Sequence, residues 1–145
     1  MVRIALFPGS FNPFTKGHAD IVSRALNLFD EVVIGIGVNS EKPQDSVTKN
    51  LHRIATTYAD EPRVKVITYT TLTADVVKEE NATCIIRGIR NDVDLKYESE
   101  IARANYTLFG VETVFLLASP ELKEISSSLV RELEKYGKKI TDLLP

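Results

Sequence analysis

The sequence predicts an α/β fold built on an open, parallel, five-stranded sheet with helices on both faces. Three observations predict it. Short runs rich in apolar and β-branched residues recur five times along the 145 residues. Amphipathic stretches with apolar residues three and four apart lie between them. The runs themselves are continuously apolar rather than alternating, so each strand has both faces covered, as in a parallel sheet between helical layers.

The elements follow in order. A strand over 2–7 (VRIALF) is succeeded by a helix over 18–28 whose apolar face is Ile21, Val22, Ala25 and Leu28. A strand over 32–37 leads to a helix over 48–59, and a strand over 64–68 to a helix over 72–80, in which the pattern puts Leu72 in the core. The fourth strand, 83–87, holds the lone cysteine, Cys84, a small and weakly polar side chain that suits a core and has no disulfide partner. A helix over 93–106, a strand over 113–117 and a helix over 127–135 complete the pattern. No linker, repeat or low-complexity segment interrupts it. A chain of 145 residues with 43% hydrophobic content buries one good core, so a single domain over 1–145 is expected.

Composition limits the partners. The net charge is -2, so no overall positive field exists to hold a nucleic-acid backbone or an anionic membrane. Neither partner is expected, and an anionic ligand must be met by local positive groups. The chain enters its first strand at once, with too short an apolar run for a signal-peptide core, and no run approaches a membrane span. Together with the unpaired cysteine this reads as a soluble cytoplasmic protein.

In open parallel sheets ligands sit beyond the carboxyl ends of the strands, where helix N-termini turn free N–H groups toward a common crevice. Four segments meet that condition: Pro8, Gly9, Ser10 and Phe11; Asn39, Ser40, Glu41 and Lys42; Arg87, Gly88, Ile89 and Arg90; and residues 119–128. The first continues as FPGSFNPFTKGH over 7–18. Gly9 lets the backbone turn tightly, Ser10 offers a hydroxyl and an N–H to a phosphate, and His18, in the first turn of the following helix, can donate to an anion with the helix dipole behind it. Taken alone, the same string also reads as a loop shaped by glycine and proline, with His18 as a cap.

The whole string alters that balance. Pro8-Gly9-Ser10-Phe11-Asn12-Pro13, followed by Thr15-Lys16-Gly17-His18, resembles the opening signature of the phosphopantetheine adenylyltransferases. These are nucleotidyltransferases of Rossmann-like fold marked by a His-x-Gly-His motif, whose first position is usually threonine in this family, as Thr15 is here. The resemblance extends through Lys42, Ile86-Arg87-Gly88-Ile89-Arg90, Tyr97-Glu98 and Ile125-Ser126-Ser127-Ser128-Leu129-Val130. It departs at Ser10, where threonine is common, and in a C-terminus that ends soon after the serine-rich helix.

The resemblance implies transfer of the adenylyl group of ATP to 4′-phosphopantetheine, giving dephospho-coenzyme A and pyrophosphate. It makes His18, Lys42 and Arg90 catalytic. It assigns ATP to Ser10, Phe11, His18, Gly88, Ile89, Arg90, Glu98 and the segment Leu122, Lys123, Glu124, Ile125, Ser126, Ser127 and Ser128. It assigns phosphopantetheine to Ser10, Lys42, Thr73 and Arg87. A homohexamer, and feedback by coenzyme A in the same pocket, are implied as well. The residue types fit the reaction. One phosphate dianion attacks the α-phosphorus of another polyanion, so the nucleophile needs no base, and catalysis reduces to placement and charge neutralisation. Placement can supply roughly 7–11 kcal/mol and one preorganised donor roughly 3–4 kcal/mol.

Each residue also has a plainer reading. Lys42, between Glu41 and Pro43, is also a solvated lysine; Arg87 and Arg90 are also rim arginines serving Asp92 and Asp94; Glu98, read alone, is one of many exposed helix acids; and the serines before Leu129 are an N-cap. The resemblance places Glu98 at the adenosine, where its carboxylate is expected to accept hydrogen bonds rather than balance charge. Asp75, Glu98 and Glu134 do not have the spacing of a metal cage, so Mg2+ is expected to arrive with ATP and no protein metal site is expected. His52 reads as a surface residue. Two other functions remain open: a sibling cytidylyl- or adenylyltransferase acting on a different phosphate, and a non-catalytic nucleotide-binding module, in which His18 and Lys42 would have no reason to converge.

Overall fold

The computed structural model describes residues 1–39, 41 and 44–145. Its strands are β1 Ile4–Gly9, β2 Glu31–Gly37, β3 Val64–Tyr69, β4 Cys84–Ile89 and β5 Thr113–Leu117; its helices are α1 Lys16–Ala25, α2 Gln44–Thr57, α3 Thr73–Glu79, α4 Asp92–Phe109 and α5 Ser127–Lys135. A short 3-10 turn, Thr141–Leu143, has no counterpart in the sequence reading. All five strands form one parallel sheet in the order β3-β2-β1-β4-β5. This is the Rossmann-like, doubly covered α/β sheet that the unbroken apolar runs predict.

The pleat explains those runs. Ala5 and Phe7 on β1, Val32, Ile34 and Ile36 on β2, and Cys84 and Ile86 on β4 face α1 and α2 together with Ile21, Val22, Ala25 and Ile54. The intervening Leu6, Val33 and Ile85 face the other way, onto Ala74, Val76 and Val77 of α3 and onto Val111. Both faces of the central strands are dry, so most of their positions are apolar, whereas the edge strand β3 carries the exposed Lys65.

Strand order reverses between β1 and β4, and the two strands stay paired only at Ala5 with Cys84 and Leu6 with Ile85. Beyond that point they diverge toward their carboxyl ends, and the crevice so opened positions the site.

The structure moves some expected residues. Leu28 lies past the end of α1 and is exposed, and Leu72, expected in the core, is 58% exposed because it is the N-cap of α3 and not an interior position. The first strand begins at Ile4, with Val2 exposed. The second helix begins at Gln44, four residues before the expected Thr48. Cys84 is buried and His52 is exposed, as read. No helix among the described residues is long and apolar enough to cross a membrane.

Candidate active site

The loop after β1 turns on Gly9. A Cβ there would stand 2.9 Å from the tip of the Phe11 ring, which folds back over the strand end. Phe11 has φ 47, and its ring packs edge-on against Phe7, Phe14 and His18, with centroids 5.1, 5.3 and 5.0 Å away. The Phe14 ring stacks on His18 at 5.3 Å. Three phenylalanines therefore hold the imidazole from beneath. Thr15 caps α1 and His18 is the third residue of the helix; the Thr15 backbone N–H donates to His18 Nδ1 at 2.9 Å, and Thr15 Oγ1 accepts the His18 N–H at 3.4 Å. Burial, and the nearby guanidinium groups of Arg87 and Arg90, hold the His18 pKa down at about 4, from an ordinary 6.5. At neutral pH the ring is uncharged.

A cleft of about 240 Å³ lies over this histidine. It is lined by Thr15, Gly17 and His18 from the start of α1, by Arg87, Gly88 and Arg90 from the end of β4, by Asp94 and Glu98 from α4, and by Leu122, Ile125, Ser126, Ser127 and Ser128 before and at the start of α5. Gly17 faces the turn opposite, where a Cβ would meet the Ile125 carbonyl at 3.7 Å, an ordinary contact distance. Two helix N-termini thus meet across one space with two arginines, a concentration of positive ends that suits a polyphosphate.

Both arginines are paired. Arg87 Nε and Nη2 donate to Glu98 at 2.9 and 2.7 Å, and Nη1 donates to the Pro8 carbonyl across the divergence of β1 and β4. Glu98 is the one buried residue of α4, and its carboxylate balances a charge, contrary to the expectation that it only accepts hydrogen bonds. The reason is tertiary: the ion pair is built between a strand and a helix eleven residues apart. Arg87 lies inside β4 rather than at its end. Arg90 reaches Asp94 through its backbone N–H, Nε and Nη2 at 3.0, 3.0 and 3.3 Å, the rim pairing that the plainer reading offered.

A second cleft of about 220 Å³ adjoins the first. Arg87 and Glu98 line both, so their ion pair is the shared wall. Its other sides are Pro8 and Gly9, Tyr69 and Thr73 at the β3–α3 turn, and Tyr97, Ile101 and Asn105 on α4. Tyr69 and Thr73 share a hydrogen bond of 2.9 Å between their hydroxyls. This cleft is largely apolar, with a few amide and hydroxyl partners.

The serines serve the fold and face the first cleft together. Ser126 Oγ accepts the Leu129 N–H at 3.1 Å as the N-cap of α5, and Ser127 Oγ donates to the Pro13 carbonyl at 2.7 Å. Of the expected site residues, His18, Gly88, Arg90, Leu122, Ile125, Ser126, Ser127 and Ser128 line the first cleft, Thr73 lines the second, and Arg87 and Glu98 line both. Ile89 is buried beside them. The Phe11 side chain is committed to the core beneath His18, whereas Ser10 is exposed and its carbonyl accepts from Asn50 Nδ2 at 2.9 Å. Lys123 and Glu124 are exposed and line neither cleft. Lys42 lies outside the described residues. The sequence reading missed Tyr69, Tyr97 and Asp94 as site-lining residues. Tyr69 and Thr73 are four positions apart across a turn, a link visible only once the turn is folded.

A family model described as cytidylyltransferase-like matches residues 6–133. A phosphopantetheine adenylyltransferase of Porphyromonas gingivalis is 50% identical over 144 residues, covering 99% of this chain and 94% of the relative. Proteins of the same name from Phocaeicola vulgatus and Flavobacterium johnsoniae are 49% and 47% identical over 145 residues, again covering 99% of this chain. The chain belongs to the phosphopantetheine adenylyltransferase family. Each of the segments 8–18, 86–90 and 125–130 contributes lining to the first cleft, and Pro8 and Gly9 line the second.

Proposed function

We propose that this chain transfers the adenylyl group of MgATP to the phosphate of 4′-phosphopantetheine, giving dephospho-coenzyme A and pyrophosphate. One observation supports the reading above the rest: two clefts of different character share the Arg87–Glu98 pair as their common wall. The first, rimmed by helix N-termini and arginines, suits ATP; the second, largely apolar with a few amide and hydroxyl groups, suits the pantetheine arm. Their junction is where the acceptor phosphate meets the α-phosphorus. An acceptor oxygen forms the new P–O bond there in line, the bond from the α-phosphorus to the bridging oxygen breaks, and pyrophosphate carries that electron pair away. No covalent enzyme intermediate is involved.

In this scheme His18 donates from Nε2 to the phosphoryl oxygens. Arg90, with Gly88 and Ile89 beside it, takes the ATP phosphates, with the α5 N-terminus and its serines opposite. Arg87 and Thr73 hold the phosphopantetheine side. Lys42 neutralises the transferring phosphoryl, the role the family motif implies, while Ser10, Phe11, Leu122, Lys123, Glu124 and Ile125 contribute backbone or packing contacts to ATP. Among the described residues no group of three or more His, Cys, Asp or Glu could hold a metal. Mg2+ is therefore treated as part of the nucleotide substrate, bound chiefly by phosphate oxygens and water.

The reading extends to assembly and control. Val93, Tyr97, Ile101 and Leu108 form an exposed apolar stripe along α4, 78, 62, 41 and 70% exposed. Such a stripe suits burial against other copies, in keeping with a homohexamer. Coenzyme A, which carries both the pantetheine arm and an adenylyl group, would span both clefts as a feedback inhibitor. The cytoplasm, where the substrates are made, is the proposed location.

Incubation with ATP, Mg2+ and 4′-phosphopantetheine should release pyrophosphate in step with dephospho-coenzyme A. ATP binding without pyrophosphate would refute an enzyme and leave a nucleotide-binding module. Turnover with CTP in place of ATP would favour the sibling cytidylyltransferase, the reading that the breadth of the matching family model keeps relevant.

A further inference from the structure

The turn segment 119–125, which supplies Leu122 and Ile125 to the first cleft, closes on itself through its backbone: the Leu122 N–H donates to the Ser119 carbonyl at 2.9 Å and the Ile125 N–H to the Leu122 carbonyl at 3.0 Å. Both of its ends are tied to the part of the chain that carries His18. At the near end Ser119 Oγ donates to Asp20 Oδ2 at 2.7 Å, and just past the far end Ser127 Oγ donates to the Pro13 carbonyl at 2.7 Å. Asp20 lies on α1, two residues beyond His18. The same Asp20 oxygen accepts from Arg24 Nη1 at 3.2 Å, and that nitrogen also donates to the carbonyl of Leu117, the last residue of β5, at 2.7 Å. Asp20 and Ser119 are half-buried and line neither cleft.

We infer that Asp20 and Ser119 are a positioning pair that sets the width of the first cleft, holding the 119–125 wall at a fixed separation from His18 and so acting on the nucleotide and not on the acceptor. A hydroxyl donating to an ionised carboxylate makes the stronger kind of hydrogen bond. Arg24 fixes where the carboxylate oxygen sits, because one of its nitrogens joins Asp20 to the end of β5. With the Ser119 hydroxyl removed, the wall keeps its internal turns and loses its near anchor, and the nucleotide has to order it on binding. The second cleft takes no lining from α1 or from 118–128, so its ligand is insensitive to the pair. That asymmetry separates a positioning role from general support of the fold. The inference rests on the proposed placing of ATP in the first cleft and 4′-phosphopantetheine in the second.

Ser119→Ala should raise KM for ATP about tenfold while KM for 4′-phosphopantetheine stays within about twofold, and Ser119→Thr should restore the parent values. Asp20→Ala should raise KM for ATP at least as much, and adding Ser119→Ala to it should change KM by less than about twofold, because both substitutions remove the same bond. Without any substrate, hydrogen exchange at the Leu122 and Ile125 amides should quicken in Ser119→Ala and return to the parent rate in Ser119→Thr. An unchanged KM for ATP in Ser119→Ala, an equal rise in both KM values, or single effects that multiply when combined would overturn the inference. A parent protein that binds MgATP without releasing pyrophosphate, whose Ser119→Ala variant exchanges faster and binds MgATP more weakly by calorimetry, would uphold the inference and count against the proposed reaction alone.

Discussion

Arg87 and Glu98 are joined two-on-two, Nε to Oε2 at 2.9 Å and Nη2 to Oε1 at 2.7 Å, with the carboxylate buried and the guanidinium partly open to both clefts. This geometry fixes the guanidinium plane with part of its fork still free for a phosphate. Glu98→Ala leaves a largely enclosed cation without its partner. Loss of stability should be about 3 kcal/mol, the low end for breaking a buried pair, because Arg87 keeps some solvent. Urea unfolding checks this, and an unchanged midpoint would show that the pair contributes nothing to the fold.

His18 carries two expectations. His18→Ala should lower turnover on the order of 10²-fold or more with the fold intact. The second concerns stability. The unfolded ring takes a proton near 6.5 and the folded ring only near 4, so between those values the unfolded chain binds the extra proton. Stability should therefore be complete above about pH 6.5 and decline as pH falls toward 4, by up to about 1.4 kcal/mol per pH unit. His18→Ala should flatten that part of the profile; an identical slope in both proteins would assign it to other groups.

Arg90 grips Asp94 at the rim of the first cleft, where solvent weakens the pair. Arg90→Lys keeps the charge and loses the fork. Stability should move by less than about 0.5 kcal/mol, whereas kcat/KM for ATP should fall about tenfold or more. Equal kcat/KM in the two proteins would remove Arg90 from the phosphate site.

At Gly9 the obstacle is an aromatic ring held on three sides. Gly9→Ala puts a methyl group against Phe11 and, through it, against His18. A destabilisation of about 1–3 kcal/mol is expected, together with reduced turnover. Wild-type turnover at wild-type stability would mean that the ring moves aside freely.

Leu108, 70% exposed near the end of α4, lies on the apolar stripe but lines neither cleft. With the proposed homohexamer as the starting form, Leu108→Glu should shift sedimentation to smaller species. Unaltered sedimentation would place the contact between copies elsewhere.

The sheet was legible because its central strands are dry on both faces, leaving runs such as 32–37 no room for a polar residue. The helices were legible to within a few residues at their ends. Leu28 and Leu72 misled because apolar spacing cannot show where a helix stops, and both fall at or beyond a terminus. Within the site, Gly9, His18 and the serines before α5 could be found from turn and cap chemistry on contiguous residues. The Arg90 pairing with Asp94 was open to the plainer reading of neighbouring charges, whereas Tyr69 with Thr73 needed a folded turn to bring the side chains together.

By itself the sequence determined the parallel α/β class, the loops that carry chemistry and the kind of ligand those loops can hold, because period, turn residues and charge type are local properties. Only the tertiary structure decided that Glu98 is buried against Arg87, that Pro8 receives the same guanidinium, and that two clefts meet at this pair. The physical reason is that burial and ion pairing depend on distance in space, and the divergence of β1 from β4 sets those distances for residues that lie 79 positions apart along the chain.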